Sequence, residues 1–133
     1  MKIAISAAES GLEAEIDQRF GRCRYFTIVD TDTLEYESIE NVSSMSSGGA
    51  GTSAGQTLSA KNVEVVLTGN CGPNAFNVLN AAGIEVYTGI SGKVKDAVER
   101  YKNGELKQNN QASVPDHFGG GGGRGRGRGM GMR

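Results

Sequence analysis

Two segments of this chain carry residue types that can do chemistry together. The first is Arg19-Phe20-Gly21-Arg22-Cys23-Arg24, in which three guanidinium groups surround one thiol. Nearby cations favour a thiolate, the form of cysteine that binds metals. The second is Gly69-Asn70-Cys71-Gly72-Pro73-Asn74, a turn with small residues, backbone N–H groups at a helix start and one soft thiol. A helix N-terminus attracts negative charge, so an anion or a metal–sulfide cluster would be favoured there. Each segment also has a purely structural reading. The first can be a loop whose Phe20 fills the core while its arginines offset Glu9, Glu13, Glu15 and Asp17. The second can be a tight turn in which Cys71 is only a small residue.

Other chemistries find less support. His117 is the only histidine, and two cysteines and one histidine without close spacing do not make a zinc site. No Ser-His-Asp or Cys-His set can be assembled, so no catalytic machinery is legible and a non-enzymatic role is expected. Ser47-Gly-Gly-Ala-Gly-Thr52 lacks the Gly-Lys-Ser/Thr ending of a phosphate loop and reads as a linker or a flap.

The elements that must hold these segments follow from periodicity. Met1–Ser6 reads as a strand with Ile3 and Ile5 on one face, and Ala7–Arg24 as a long loop. Tyr25–Asp30 is β-branched and aromatic, and Leu34–Val42 reads as its hairpin partner, anchored by Tyr36 and Ile39. Ser43–Gly55 reads as a loop entering a helix capped by Thr52 or Ser53, with Ala54, Thr57 and Leu58 on one stripe. Val63–Thr68 is nearly continuous apolar sequence, the mark of a strand covered on both faces. Pro73 suits the first turn of the next helix; Ala75, Val78, Leu79 and Ala82 share its stripe, and Gly83 ends it. Ile84–Thr88 is a further strand. A last helix, capped by Ser91, carries Val94, Ala97, Val98 and Tyr101 and stops at Gly104. The order is β-β-β-α-β-α-β-α, a meander followed by a β-α-β unit with parallel strands. If the first strand pairs with Val63–Thr68 at the sheet centre, both cysteine segments meet beyond the carboxyl ends of those strands, where open sheets bind ligands.

Composition bounds the setting. The 133 residues have a formal net charge of −1, but Gly119–Arg133 alone holds nine of the 21 glycines and four of the 14 basic residues. The remainder has ten basic against 15 acidic residues, an acidic domain that is a poor general binder of polyanions. The expected division is an α/β domain over 1–107 and a disordered Gly/Arg-rich tail over 108–133. Such a tail gives at most weak, salt-sensitive RNA contact, and an RNA-associated module acting through it is the rival function. Two cysteines, no leader and no long apolar run point to a cytoplasmic protein with reduced thiols and no membrane contact.

Read in order, several short motifs become recognisable: Phe20-Gly21-Arg22-Cys23, Tyr25-Phe26 with Asp30, Gly49-Ala50-Gly51, Gly69-Asn70 with Gly72-Pro73-Asn74-Ala75-Phe76, and Ala82-Gly83-Ile84. Together, from about Lys2 to Lys107, they resemble the dinitrogenase iron-molybdenum cofactor biosynthesis family. The resemblance implies a ribonuclease-H-like α/β fold with a five-stranded mixed sheet. It also implies a carrier or chaperone for an iron–sulfur–molybdenum cluster, a molybdenum–copper sulfide cluster or a precursor, served by donor and acceptor proteins. Relatives often have His before the Phe-Gly-Arg segment. Here that position is Arg19, which shifts ligation to the thiols. On this reading Cys23 and Cys71 are metal ligands and Arg19, Arg22 and Arg24 neutralise an anionic cluster. Gly69, Asn70, Cys71, Gly72 and Asn74 supply the surrounding cradle.

Overall fold

The computed structural model describes residues 1–41, 50–106 and 108, with only the backbone of Ala50. The expectations for Ser43–Gly49, His117 and the Gly/Arg-rich segment lie outside the described residues.

Five strands and three helices follow one another as β1 (Lys2–Ala7), β2 (Tyr25–Asp30), β3 (Tyr36–Glu40), α1 (Ala50–Ala60), β4 (Val63–Leu67), α2 (Pro73–Ala81), β5 (Glu85–Tyr87) and α3 (Val94–Lys102). They form one mixed sheet in the order β3-β2-β1-β4-β5. β1 is central, antiparallel to β2 and parallel to β4, with Ile5 opposite both Thr27 and Leu67. Ile3, Ile5 and Ala7 face one apolar cluster and Ala4 the other, as the two-residue period of a strand requires.

The two sheet faces are covered unequally. α1 and α2 cover one face together, packed closely because Gly51 and Gly55 have no side chains. A Cβ at Gly51 would sit 2.8 Å from Cβ of Ala75, and one at Gly55 would sit 2.9 Å from Cγ1 of Val78. Gly51 is therefore a helix-packing residue. α3 covers the opposite face together with the loop after β1.

That asymmetry corrects several sequence expectations. Tyr36 does not anchor the hairpin: it is 50% exposed, because it lies opposite Val29 at the sheet edge, on the face served by a single helix. Ile39, on the other face, does pack against the core. Thr52 and Ser53 do not cap α1, which has already begun at Ala50. Thr57 is exposed and bonds back to the Ser53 carbonyl, so the buried stripe runs through Ala54, Gly55 and Leu58. In α2 the stripe is Ala75, Phe76 and Leu79, with Val78 half-buried and Ala82 exposed beyond the helix end. Ser91 does not cap α3. Its N-cap is Lys93, and the N–H groups of Val94 and Lys95 are taken by the carbonyls of Ala14 and Leu12 in the long loop. Gly83 and Gly104, at φ +79° and +75°, adopt the left-handed backbone that follows a helix end.

Candidate functional site

β1 and β4 lie side by side, and their carboxyl ends lead away in different directions. After β1 the chain runs through the long loop to β2; after β4 it turns into α2. At this switch point sit Ser6 and Thr68, both fully buried. The Ser6 hydroxyl donates to the Asp17 carbonyl at 2.7 Å and lies 2.7 Å from Thr68 Oγ1. A hydroxyl has one proton, so Thr68 donates to Ser6 in that pair.

The two cysteine segments are joined directly above these hydroxyls. Asn70 N–H donates to the Gln18 carbonyl at 2.7 Å, and Phe20 N–H donates to the Asn70 carbonyl at 3.1 Å. Arg19 and Asn70 thus form a one-residue parallel bridge. Gly69 permits this approach: a Cβ there would lie 2.7 Å from Gln18 Cα. Below the bridge, Cys23 and Cys71 belong to one apolar cluster with Phe20, Phe26, Ala75 and Phe76. Phe20 fills the core as its structural reading expected, with its ring 5.3 Å from that of Phe26.

Neither thiol is in a disulfide, and they are 0% and 1% exposed. Burial pushes the Cys23 thiol up to about 12, with the charge of Asp17 adding to the effect, and burial pushes Cys71 up to about 12 as well. The thiolate expected beside the arginines is therefore not the resting form. The guanidinium groups point to solvent while the sulfur points inward. Arg19 is exposed and paired with Asp17 at 3.3 Å, a contact that also raises its pKa. Arg22 is exposed, and the Arg24 guanidinium lies 5.8 Å from the Tyr25 ring, which packs towards the α3 face. Glu13, expected to be offset by these arginines, is instead paired with Lys93 and Lys95.

α2 starts beside Cys71 with Gly72 as its N-cap and Pro73 in its first turn, and among the described residues no side chain caps it. A helix leaves its first N–H groups without intrahelical acceptors. Asn74 is exposed at the same end. Asn41 and Gln18 are site residues that sequence reasoning missed. Asn41 Nδ2 donates to the carbonyls of Gly21 and Cys23 at 3.1 and 2.9 Å, and Gln18 Nε2 donates to the Ile90 carbonyl at 3.2 Å. No local pattern marks either, since their partners are distant or carry no sequence signature.

Among the described residues no group of three or more His, Cys, Asp or Glu side chains could hold a metal ion. A crevice of about 270 Å³ beside α3, lined by Leu12, Val29, Leu34 and Val98 among others, shares no residue with either cysteine segment. The two segments bring two buried thiols and, among the described residues, a helix start without a side-chain cap. Once deprotonated, that set suits a soft, anionic metal–sulfide species better than a hard cation.

This is a small α/β domain with a five-stranded mixed sheet and two buried thiols in one apolar cluster. Residues 1–104 match the family described as dinitrogenase iron-molybdenum cofactor, and the chain belongs to it. Among solved structures it is similar to the apo form of the orange protein from Desulfovibrio gigas. The identity is 38% with a TM-score of 0.82, covering 84% of this chain and 95% of that one. It is also similar to a proposed NifB protein from Thermotoga, assigned to the DUF35 family. There the identity is 34% with a TM-score of 0.72, covering 80% and 91% of the two chains. A proposed dinitrogenase from Methanocaldococcus jannaschii, 23% identical with a TM-score of 0.61, shares the fold. It covers 84% of this chain and 96% of its own. A search of the curated proteins returns no match. Among the described residues no helix is long and apolar enough to cross a membrane.

Proposed function

We propose that this protein binds and carries a metal–sulfide cluster of the iron–sulfur–molybdenum or molybdenum–copper type, or a precursor of one, without catalytic turnover. The observation that carries the reading is the Phe20–Asn70 bond, which unites the two cysteine-bearing segments over one buried cluster at the switch point. Family membership and the likeness to the orange protein support the ligand class. The strand order supports the ribonuclease-H-like label.

In this reading the cluster is cargo, received from one protein and passed to another in the cytoplasm. Cys23 and Cys71 are its sulfur ligands; Arg19, Arg22 and Arg24 offset its negative charge. Within Gly69–Asn74 the backbone N–H groups hydrogen-bond its sulfides, except at Asn70, whose N–H is held by the Gln18 carbonyl, and at Pro73, which has none. Residues 1–107 form the binding unit and 108–133 a tail that takes no part in it. Both thiols rest protonated, so loading releases protons and strengthens as the pH rises. The test is anaerobic purification of the full chain followed by elemental analysis and an absorption spectrum. Molybdenum, iron or copper retained with inorganic sulfide supports the reading. A colourless, metal-free chain that stays so after incubation with tetrathiomolybdate and copper(I), or with iron and sulfide, refutes it.

A further inference from the structure

Asn41 follows β3 and is only 6% exposed, although its side chain is a polar amide. Its Nδ2 group lies 3.1 Å from the Gly21 carbonyl, 2.9 Å from the Cys23 carbonyl and 3.8 Å from Cys23 Sγ. An amide nitrogen has two protons, so the two carbonyls use both and the sulfur contact is a weaker third. The Asn41 backbone adds a fourth tie, its N–H donating to the Arg24 carbonyl at 2.8 Å. One residue thereby fixes the loop at Gly21, Cys23 and Arg24. The thiol itself donates to the Phe20 carbonyl at 3.3 Å, which closes it inside a turn of its own loop.

We propose that Asn41 is the latch of the site: its side-chain amide holds the Cys23 loop shut, and a soft metal reaches Cys23 only when those bonds release. Asn41 is a positioning residue, acting through the loop and not as a ligand. Three contacts of the Asn41 amide fall on Gly21 and Cys23, and the Cys71 thiol lies 3.8 Å from the adjacent Gly72 carbonyl. The latch acts on the Cys23 thiol, whose own loop carries these bonds. Its consequence for metal loading rests on the reading of Cys23 as a ligand. Its existence does not, and it is tested with no metal present.

The probe is iodoacetamide, with alkylation of the full chain followed by mass spectrometry. Cys23 is read in a Cys71→Ser background and Cys71 in a Cys23→Ser background. Asn41→Asp keeps the shape and removes both donors; Asn41→Ala removes the amide altogether. Either variant should speed Cys23 alkylation about 30-fold, the ratio expected for losing two hydrogen bonds of ordinary strength. Cys71 alkylation should change by less than about threefold, because a local opening leaves the rest of the fold in place. Equal acceleration of both thiols would mean general loosening and would overturn the latch, as would no acceleration of Cys23. A measurement on the single-cysteine chain with Asn41 intact covers the case in which neither variant folds. The opening free energy from exchange of the Asn41 side-chain amide protons should equal that from Cys23 alkylation, and a mismatch overturns the proposal. If the latch holds but loading with tetrathiomolybdate is unchanged by Asn41→Ala, the ligand role of Cys23 fails while the latch stands.

Discussion

Phe20 donates its backbone N–H to the Asn70 carbonyl at 3.1 Å, and this bond joins two segments that are fifty positions apart in the chain. It exists only because residue 69 is glycine. A methyl group there would press on Gln18 Cα at 2.7 Å, and that neighbour is backbone and cannot swing away. Gly69→Ala should therefore destabilise the fold by about 2 kcal/mol, in the range of other overpacking substitutions. Denaturant titration measures it. A change below about 0.5 kcal/mol would mean that the two segments are not tightly apposed.

The Thr27 hydroxyl, on strand β2, is buried with no hydrogen-bond partner among the described residues. Valine has the same shape and no polar atom to satisfy. Thr27→Val should raise stability by about 1 kcal/mol, seen as a higher denaturation midpoint with an unchanged slope. A loss of stability would show that the hydroxyl has a partner, such as a buried water.

Both thiols are pushed up to about 12 in the folded protein, against 9.0 for an ordinary thiol. The folded state keeps two protons that the unfolded chain gives up, so this contribution is complete below pH 9.0 and is lost as the pH climbs through about 12. Within that window each thiol steepens the fall in stability by about 1.4 kcal/mol per pH unit. A Cys23→Ala, Cys71→Ala chain should show a shallower alkaline limb in pH-dependent denaturation. Identical limbs would place the thiols in contact with solvent.

How much of this was legible beforehand depended on the range of the interactions. Val63–Leu67 and Tyr25–Asp30 announced themselves because β-branched and aromatic runs report their own burial. The meeting of the Cys23 and Cys71 segments followed once the first strand was paired with Val63–Thr68. Tyr36 misled, since an aromatic residue in a strand says nothing about which sheet face has too few helices to cover it. The state of Cys23 misled for a related reason. Three arginines lie beside it in sequence, yet adjacent side chains diverge, so the charges reach water while the sulfur enters the core. Asn41 was invisible because its partners are backbone carbonyls about twenty positions away.

We propose that the Gly/Arg-rich tail contributes nothing to the stability of the domain. Its fifteen residues from Gly119 hold only Met130 and Met132 as apolar side chains, too little to offset the entropy of ordering them. A chain truncated after Phe118 should melt within about 2 °C of the full protein, because only a difference near 1 kcal/mol shifts the midpoint by several degrees in a domain of this size. A clear drop would show that the tail docks on the domain.

If the two buried thiols hold the cargo, anaerobic loading shows it most directly. The parent chain and a Cys23→Ser, Cys71→Ser chain would be incubated with tetrathiomolybdate and copper(I), or with iron and sulfide, then desalted and assayed for bound metal. A soft metal prefers thiolate to hydroxyl, so the double variant should retain less than about one tenth of the metal held by the parent while keeping its circular dichroism spectrum. Equal retention by the two chains would contradict the account and leave the arginines and the α2 N-terminus as the only holders of a cluster.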